Sequence, residues 1–281
     1  MSRILEFIKD GYHASFEILR GQRRQLITPF LIDIAFLYVT GFITAAFGNK
    51  ITEYAVQLGF LVSSRSGNLT QQYVSSSIPQ MMAANPQIAS SVYTLILLFS
   101  LSSLAAFVLF LSLESFSFWL ILKQSGYPVA FGRYFLQFFQ VSLVWLAFMV
   151  VYWMSSYADS LRFTLSNRTA LYTPSPGFLV YLLLVGYFAL ISYSLIGTGS
   201  FKSIITSTFS LGVKKAHLLG ALAVSLIALY SVFNLILVFA FLLNQFLGLM
   251  LGFALVVPCL IFVRVVMAKG VRKLVGLTSK E

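Results

Sequence analysis

Two carboxylates and one guanidinium stand where water should be scarce: Asp33, Glu114 and Arg264 all fall inside long apolar stretches of a 281-residue chain. An ionisable side chain at membrane depth is costly, and it persists where it does work or finds a partner. Asp33 lies nine residues after Arg24, and Glu114 nine residues before Lys123; at helical rise each is about 13 Å from its basic flank. The two acids share a depth, and Arg264, five residues before Lys269, can reach toward both. Two chemistries fit this set. In one the acids bind a cation or carry protons, and pairing with Arg264 alternates during transport. In the other the three are fixed interhelical ties, or snorkel to the interface. The spans hold no second acid at mid-depth and no polar stripe leading outward, which favours the tie.

The elements that position these groups are read from hydropathy. With 59% hydrophobic and 10% charged residues, the chain reads as an all-α, polytopic integral membrane bundle. A hydrocarbon core of roughly 30 Å needs about 20 apolar residues per crossing. Six stretches qualify, near 26–48, 92–123, 134–154, 177–197, 217–243 and 246–269. The sequence is almost continuously apolar from Leu218 to Ala268, so the chain must turn within it, and Asn244-Gln245 is the polar pair available for the turn. Residues 92–123 exceed one crossing, which implies tilt or projection beyond the membrane.

Orientation follows from the basic residues, which are retained on the cytoplasmic side. Fifteen of the nineteen Lys and Arg residues fall on one side of the six-span map, leaving Lys50, Arg65, Arg162 and Arg168 on the other. This places both termini in the cytoplasm and the protein in the cell membrane. The net charge of +11 is explained by this asymmetry and by attraction to anionic lipid headgroups at the inner surface. Nucleic acid is excluded as a partner, because the charges are dispersed at membrane edges. About 25 residues precede the first apolar run, longer than the n-region of a cleaved signal. The single cysteine, Cys259, forms no intramolecular disulfide.

Residues 2–25 read as an amphipathic interfacial helix. Ile4, Ile8, Tyr12, Phe16 and Leu19 recur on one face, and Arg3, Lys9, Asp10, Glu17 and Arg20 occupy others. Similar lead-ins recur: Ala14-Ser15-Phe16 before span one, Val129-Ala130-Phe131 before span three and Ser207-Thr208-Phe209 before span five. The pattern suggests three helical-hairpin repeats, each preceded by a cytoplasmic interfacial helix. Residues 49–91 form the largest outer loop, rich in Ser, Gln, Asn and Ala after its apolar early part. Asn68-Leu69-Thr70 and Asn167-Arg168-Thr169 are glycosylation sequons in outer loops.

The other intramembrane polar groups point to packing. Ser100, Ser103, Ser112, Ser115 and Ser117 mark close helix contact in span two, and Gly248 and Gly252 form a GxxxG pattern facing span five. Pro258 removes a backbone donor and should kink span six. Asn234, Gln137 and Gln140 read as interhelical hydrogen-bond partners. With two histidines, His13 and His217, no HExxH zinc site exists, no serine has a histidine base within a span, and no phosphate-binding GxxxxGK[ST] occurs. No catalytic residue, metal site or cofactor is therefore expected.

The run from Ser15-Phe16 through Arg23-Arg24 to Ile27-Thr28-Pro29-Phe30 resembles a broad group of poorly characterised prokaryotic, often archaeal, six-span membrane proteins. It is similar in layout to the membrane domain attached to some glycerophosphodiester phosphodiesterases, whose catalytic domain has no counterpart here. The resemblance implies a membrane module and transfers no site residues. The six-helix subunit of the twin-arginine translocase shares the topology, but span four here lacks the acidic residue that match would require. The expectation is a non-enzymatic scaffold or assembly module, alone or as a homo-oligomer, partnered by the bilayer and other membrane proteins. The alternative is a transporter or channel-like protein for a small solute or lipid.

Overall fold

The computed structural model describes residues 2–21, 23–65, 82–83, 85–127, 129–166 and 176–276. Its helices are α1 (Ser2–Gly21), α2 (Arg23–Arg65), α3 (Pro86–Leu109), α4 (Ser115–Gln124), α5 (Phe131–Ser166), α6 (Pro176–Leu195), α7 (Phe201–Lys214), α8 (Ala216–Leu243) and α9 (Gln245–Val275). A π-helical turn, Phe110–Glu114, joins α3 to α4 without a break. Among the described residues five segments are long and apolar enough to cross a membrane: Leu26–Leu61, Pro86–Gln124, Phe131–Tyr152, Ala216–Leu243 and Gln245–Val275. A further apolar segment, Leu179–Leu195, is shorter. The protein is thus an all-α, multi-pass membrane protein.

By contact the chain forms two compact units. One contains Met1–Phe36, Phe110–Phe148 and Leu182–Glu281. The other contains Leu37–Leu109 and Met149–Tyr181, and buries Leu58, Ile88 and Leu95 among Ile51, Tyr54 and Val92. This second unit corrects the expected outer loop 49–91, because α2 continues to Arg65 and α3 starts at Pro86. No proline stands between Asn49 and Ser64, Lys50 pairs with Glu53 at 2.9 Å, and apolar residues at helical spacing find partners on α3. Proline opens α3 where its missing N–H costs nothing, while the Asn85 side chain accepts a bond from Gln87 N at 3.0 Å. Asn68 and Asn167 lie outside the described residues.

Between α8 and α9 one residue suffices for the turn. Asn244 is extended, and its Oδ1 accepts from Phe246 N at 2.8 Å and Leu247 N at 3.3 Å, an N-cap that supplies two orphan donors. A Cβ at Gly248 would overlap the Phe241 ring of α8, whereas Gly252 faces open space, so only the first glycine of the pair makes room for a side chain of α8. Pro258 sits within a continuous α9, flanked by buried Val257 and Cys259.

The buried face of α1 differs from the expected one. Phe7, Gly11 and Ser15 pack inward at four-residue spacing, Ile4, Ile8 and Tyr12 flank them, and Phe16 is 68% exposed. The apolar arc of α1 is wide enough for two faces, and the one with small residues allows the closer approach to α8 and α9. Gly11 accordingly lies beside Leu222 and Val266. A second short helix, α7, buries Ile204, Thr208 and Gly212 in the same spacing. Val129-Ala130-Phe131 has no separate helix before it: the connection from α4 is only six residues long, 125–130, and Phe131 opens α5 directly.

The α6–α7 connection depends on backbone freedom. Gly197 adopts φ +88°, and a Cβ there would stand 2.6 Å from Val129 Cγ2. Gly197→Ala should therefore lower stability by about 1–3 kcal/mol, read as a reduced melting temperature in detergent. Gly41→Ala, with nothing near the added Cβ, should melt at or slightly above the parent. Equal melting of the two variants would show that this connection does not require the left-handed backbone.

Candidate intramembrane charge cluster

Three helices distant in sequence bring the intramembrane charges together. Asp33 follows Leu26 and Phe30 on one face of α2; Glu114 precedes Ser117 and Ile121 on one face of α4; Arg264 stands beside Ile261 and Val265 on α9. Leu26, Ile121, Ile261 and Val265 pack as one apolar cluster, and this contact holds the three polar positions opposite one another. The π-helical turn matters here because it ends on Glu114. Its extra residue shifts the register between α3 and α4, and such turns recur at functional positions.

The hydrogen bonding is dense. Arg264 Nη1 donates to Asp33 Oδ1 at 2.9 Å, to Asp33 Oδ2 at 3.1 Å and to Ser117 Oγ at 2.9 Å. Its Nη2 donates to Glu114 Oε2 at 2.5 Å. Ser117 Oγ in turn donates to Asp33 Oδ1 at 2.7 Å. Asp33, Glu114 and Arg264 are 1%, 2% and 8% exposed. The Phe118 ring lies under the guanidinium, 4.4 Å from its carbon, which adds a cation–π contact in a desolvated setting.

Both approaches to the cluster are apolar. Toward the basic flanks lie Leu26 and Ile121, each seven residues from an acid. On the other side Phe36 meets Phe110 edge to face at 6.3 Å, and Phe110, Phe118, Phe138 and Tyr193 continue the aromatic layer at 4.8–6.1 Å between centroids. In such surroundings charge pairing is strong, and an unpartnered charge is correspondingly expensive.

A second polar cluster joins Gln137, expected as a hydrogen-bond partner between helices, to Arg272, which the sequence does not single out. Arg272, two turns beyond Arg264 on the same face of α9, is buried and donates from Nε to Ser194 O and from Nη2 to Ile196 O, both at 2.8 Å. A cation is thereby set on the carbonyl end of α6, where the helix dipole is negative. Gln137 of α5 completes the clamp by accepting from Gly197 N at 2.9 Å and donating to Gly199 O at 2.7 Å. Arg272 had been counted only as a flanking positive charge. Its eight-residue spacing from Arg264 was the available signal. Ser117, read simply as a small packing residue, is likewise a member of the charge cluster. Among the described residues no three His, Cys, Asp or Glu side chains gather as metal ligands would.

Removing Arg264 alone would leave two buried acids without their cation. Arg264→Leu should cost about 3–5 kcal/mol, seen as a large drop in melting temperature. Combining it with Asp33→Asn and Glu114→Gln should recover much of the loss, since no unpaired charge remains. An Arg264→Leu protein as stable as the parent would rule out the tie.

No protein-family model, curated protein or solved structure matches the chain, so the functional reading rests on its own geometry.

Proposed function

We propose that this protein is a non-enzymatic membrane module that assembles or tethers other components through surface helices at the cytoplasmic face. The observation that carries the reading is the closure of the charge cluster. A carrier or channel needs intramembrane charges that meet water or exchange partners. Here Asp33, Glu114 and Arg264 satisfy one another between two apolar layers, which supports a permanent interhelical tie.

The reading includes six spans and cytoplasmic termini. Helix α6 supplies the sixth, since its 20 residues from Pro176 to Leu195 reach about 30 Å. The fifteen-to-four division of Lys and Arg supports the orientation. Helix α1 then lies in the inner headgroup layer, with Leu5 and Phe16 exposed toward lipid or partner, Lys9 beside them, and Asp10, His13 and Glu17 toward water.

A threefold repeat is supported by the lead-ins. Ser15 and Thr208 are both fully buried, donating to the carbonyl four residues back at 2.6 and 2.8 Å, and the phenylalanine after each is exposed. Each lead-in also packs on the hairpin that precedes it in a ring. Phe131 meets Trp119 of α4 at 5.2 Å, and Trp119 Nε1 donates to Val129 O. Phe209 meets Phe188 of α6 at 5.2 Å, and Tyr12 closes the ring on Phe262 of α9 at 5.3 Å. Such successive lead-in contacts suit a platform, and the exposed Phe16, Phe131 and Phe209 are its outward contacts.

A photo-crosslinking amino acid placed at Phe16 or Phe209 in living cells should yield discrete protein adducts. The same residue at Leu104, exposed on α3, should yield lipid adducts alone. Lipid adducts alone at all three positions, or a proton or cation flux in liposomes that depends on Asp33 or Glu114, would contradict the proposal.

A further inference from the structure

A cavity of about 490 Å³ opens between the polar side of α1, Tyr127 in the α4–α5 connection and the last turns of α9. Its size falls within the range of small-ligand sites, about 300–1,000 Å³. Lys9, Lys269 and Lys273 line it, with Asp10, His13 and Glu17. Of the two acids, Asp10 is already engaged. Asp10 Oδ2 accepts from Lys273 Nζ at 2.9 Å, and this ammonium holds the Asp10 carboxyl below its ordinary range. Glu17 faces His13 Nδ1 at 3.6 Å. Lys9 and Lys269 have no carboxylate partner among the described residues.

More positive charge converges behind the same wall. Lys269 Nζ stands 5.3 Å from the Tyr127 ring centre and the Arg272 guanidinium 4.2 Å from it. Arg272 spends its Nε and Nη2 bonds on carbonyls, and among the described residues no carboxylate pairs with it. Three lysines thus face two carboxylates around one cavity, and Arg272 adds a fourth positive charge against its Tyr127 wall. An anion with several oxygen acceptors would neutralise the excess and bridge the two unpaired ammonium groups.

From this arrangement we infer that the α1–α9 cavity binds a phosphate group, taken by Lys9 and Lys269 with Tyr127 as its floor. The phosphodiester headgroup of an anionic lipid and free phosphate share that chemistry. The lipid source rests on the proposed placement of α1 at the inner membrane surface, whereas the anion site itself does not.

The test is a thermal melt of the full chain in dodecyl maltoside, titrated separately with phosphatidylglycerol, phosphatidylcholine and inorganic phosphate. Phosphatidylglycerol should stabilise the parent and phosphatidylcholine should not. One basic residue at an anionic lipid surface is worth a factor of about five. The Lys9→Gln/Lys269→Gln variant should therefore need about twentyfold more phosphatidylglycerol, while Lys269→Arg responds like the parent. Lys202→Gln/Lys214→Gln, which alters two α7 lysines outside the cavity lining, should also respond like the parent. Stabilisation by inorganic phosphate but not by phosphatidylglycerol, with the same dependence on Lys9 and Lys269, would support the anion site while assigning it to a soluble source and would count against the membrane placement of α1. The inference is overturned if neither phosphate source stabilises the parent, or if the Lys9→Gln/Lys269→Gln variant responds as the parent does.

Discussion

A guanidinium taken out of water must be given acceptors, and in this protein α2 and α4 supply them to α9. Burying such a group costs several kcal/mol, which is recovered only if geometry and hydrogen bonding are good. Arg264 therefore dictates where three helices can lie: Asp33 and Glu114 must arrive at one depth and face one point. The π-helical turn, the shared apolar layer of Leu26, Ile121, Ile261 and Val265, and the Phe118 ring all serve that condition. The two acids are treated unequally. Asp33 accepts two bonds from Arg264 and one from Ser117, whereas Glu114 accepts one.

The same device recurs two turns along α9 with a different acceptor. Arg272 is satisfied by backbone carbonyls at the end of α6, and Gln137 holds the following turn from the opposite side. One helix thus fastens α2 and α4 through carboxylates and α6 through carbonyls. Small residues let the surrounding elements close on it: Gly11 allows α1 to approach and Gly248 admits Phe241. In hydrocarbon, where burial of apolar surface supplies no drive between helices, polar ties and close packing are what remain to specify an arrangement.

Much of the architecture is legible in the sequence because membrane spans declare themselves by length and charge. The matched depth of Asp33 and Glu114 follows from counting residues to the basic flanks, and the Asn244 turn from its being the polar break in a double-length apolar run. Other features are hidden for physical reasons. A π turn has no composition signal, so the facing of Glu114 and Ser117 could not be assigned. The wide apolar arc of α1 holds two competing faces, and tertiary fit chose Phe7, Gly11 and Ser15 over the face with Phe16. The continuation of α2 past Gly48 was masked by polar residues that read as loop but tolerate helix when Leu58 can pack on α3. The acceptors of Arg272 are main-chain atoms, which leave no mark in side-chain types, so its spacing from Arg264 is the one sign of burial in the sequence.

The central claim is that Arg264 and its acids form a fixed energetic tie, and a double-mutant cycle tests it most directly. Reversible unfolding of Arg264→Gln, Asp33→Asn, Glu114→Gln and the two Arg264 pairs in bilayer-like micelles yields both coupling energies. The account predicts about 2 kcal/mol or more between Arg264 and Asp33 and a smaller value with Glu114, in line with the bonds each acid accepts. Coupling below about 0.5 kcal/mol for both pairs, the level expected of residues that act independently, would contradict it.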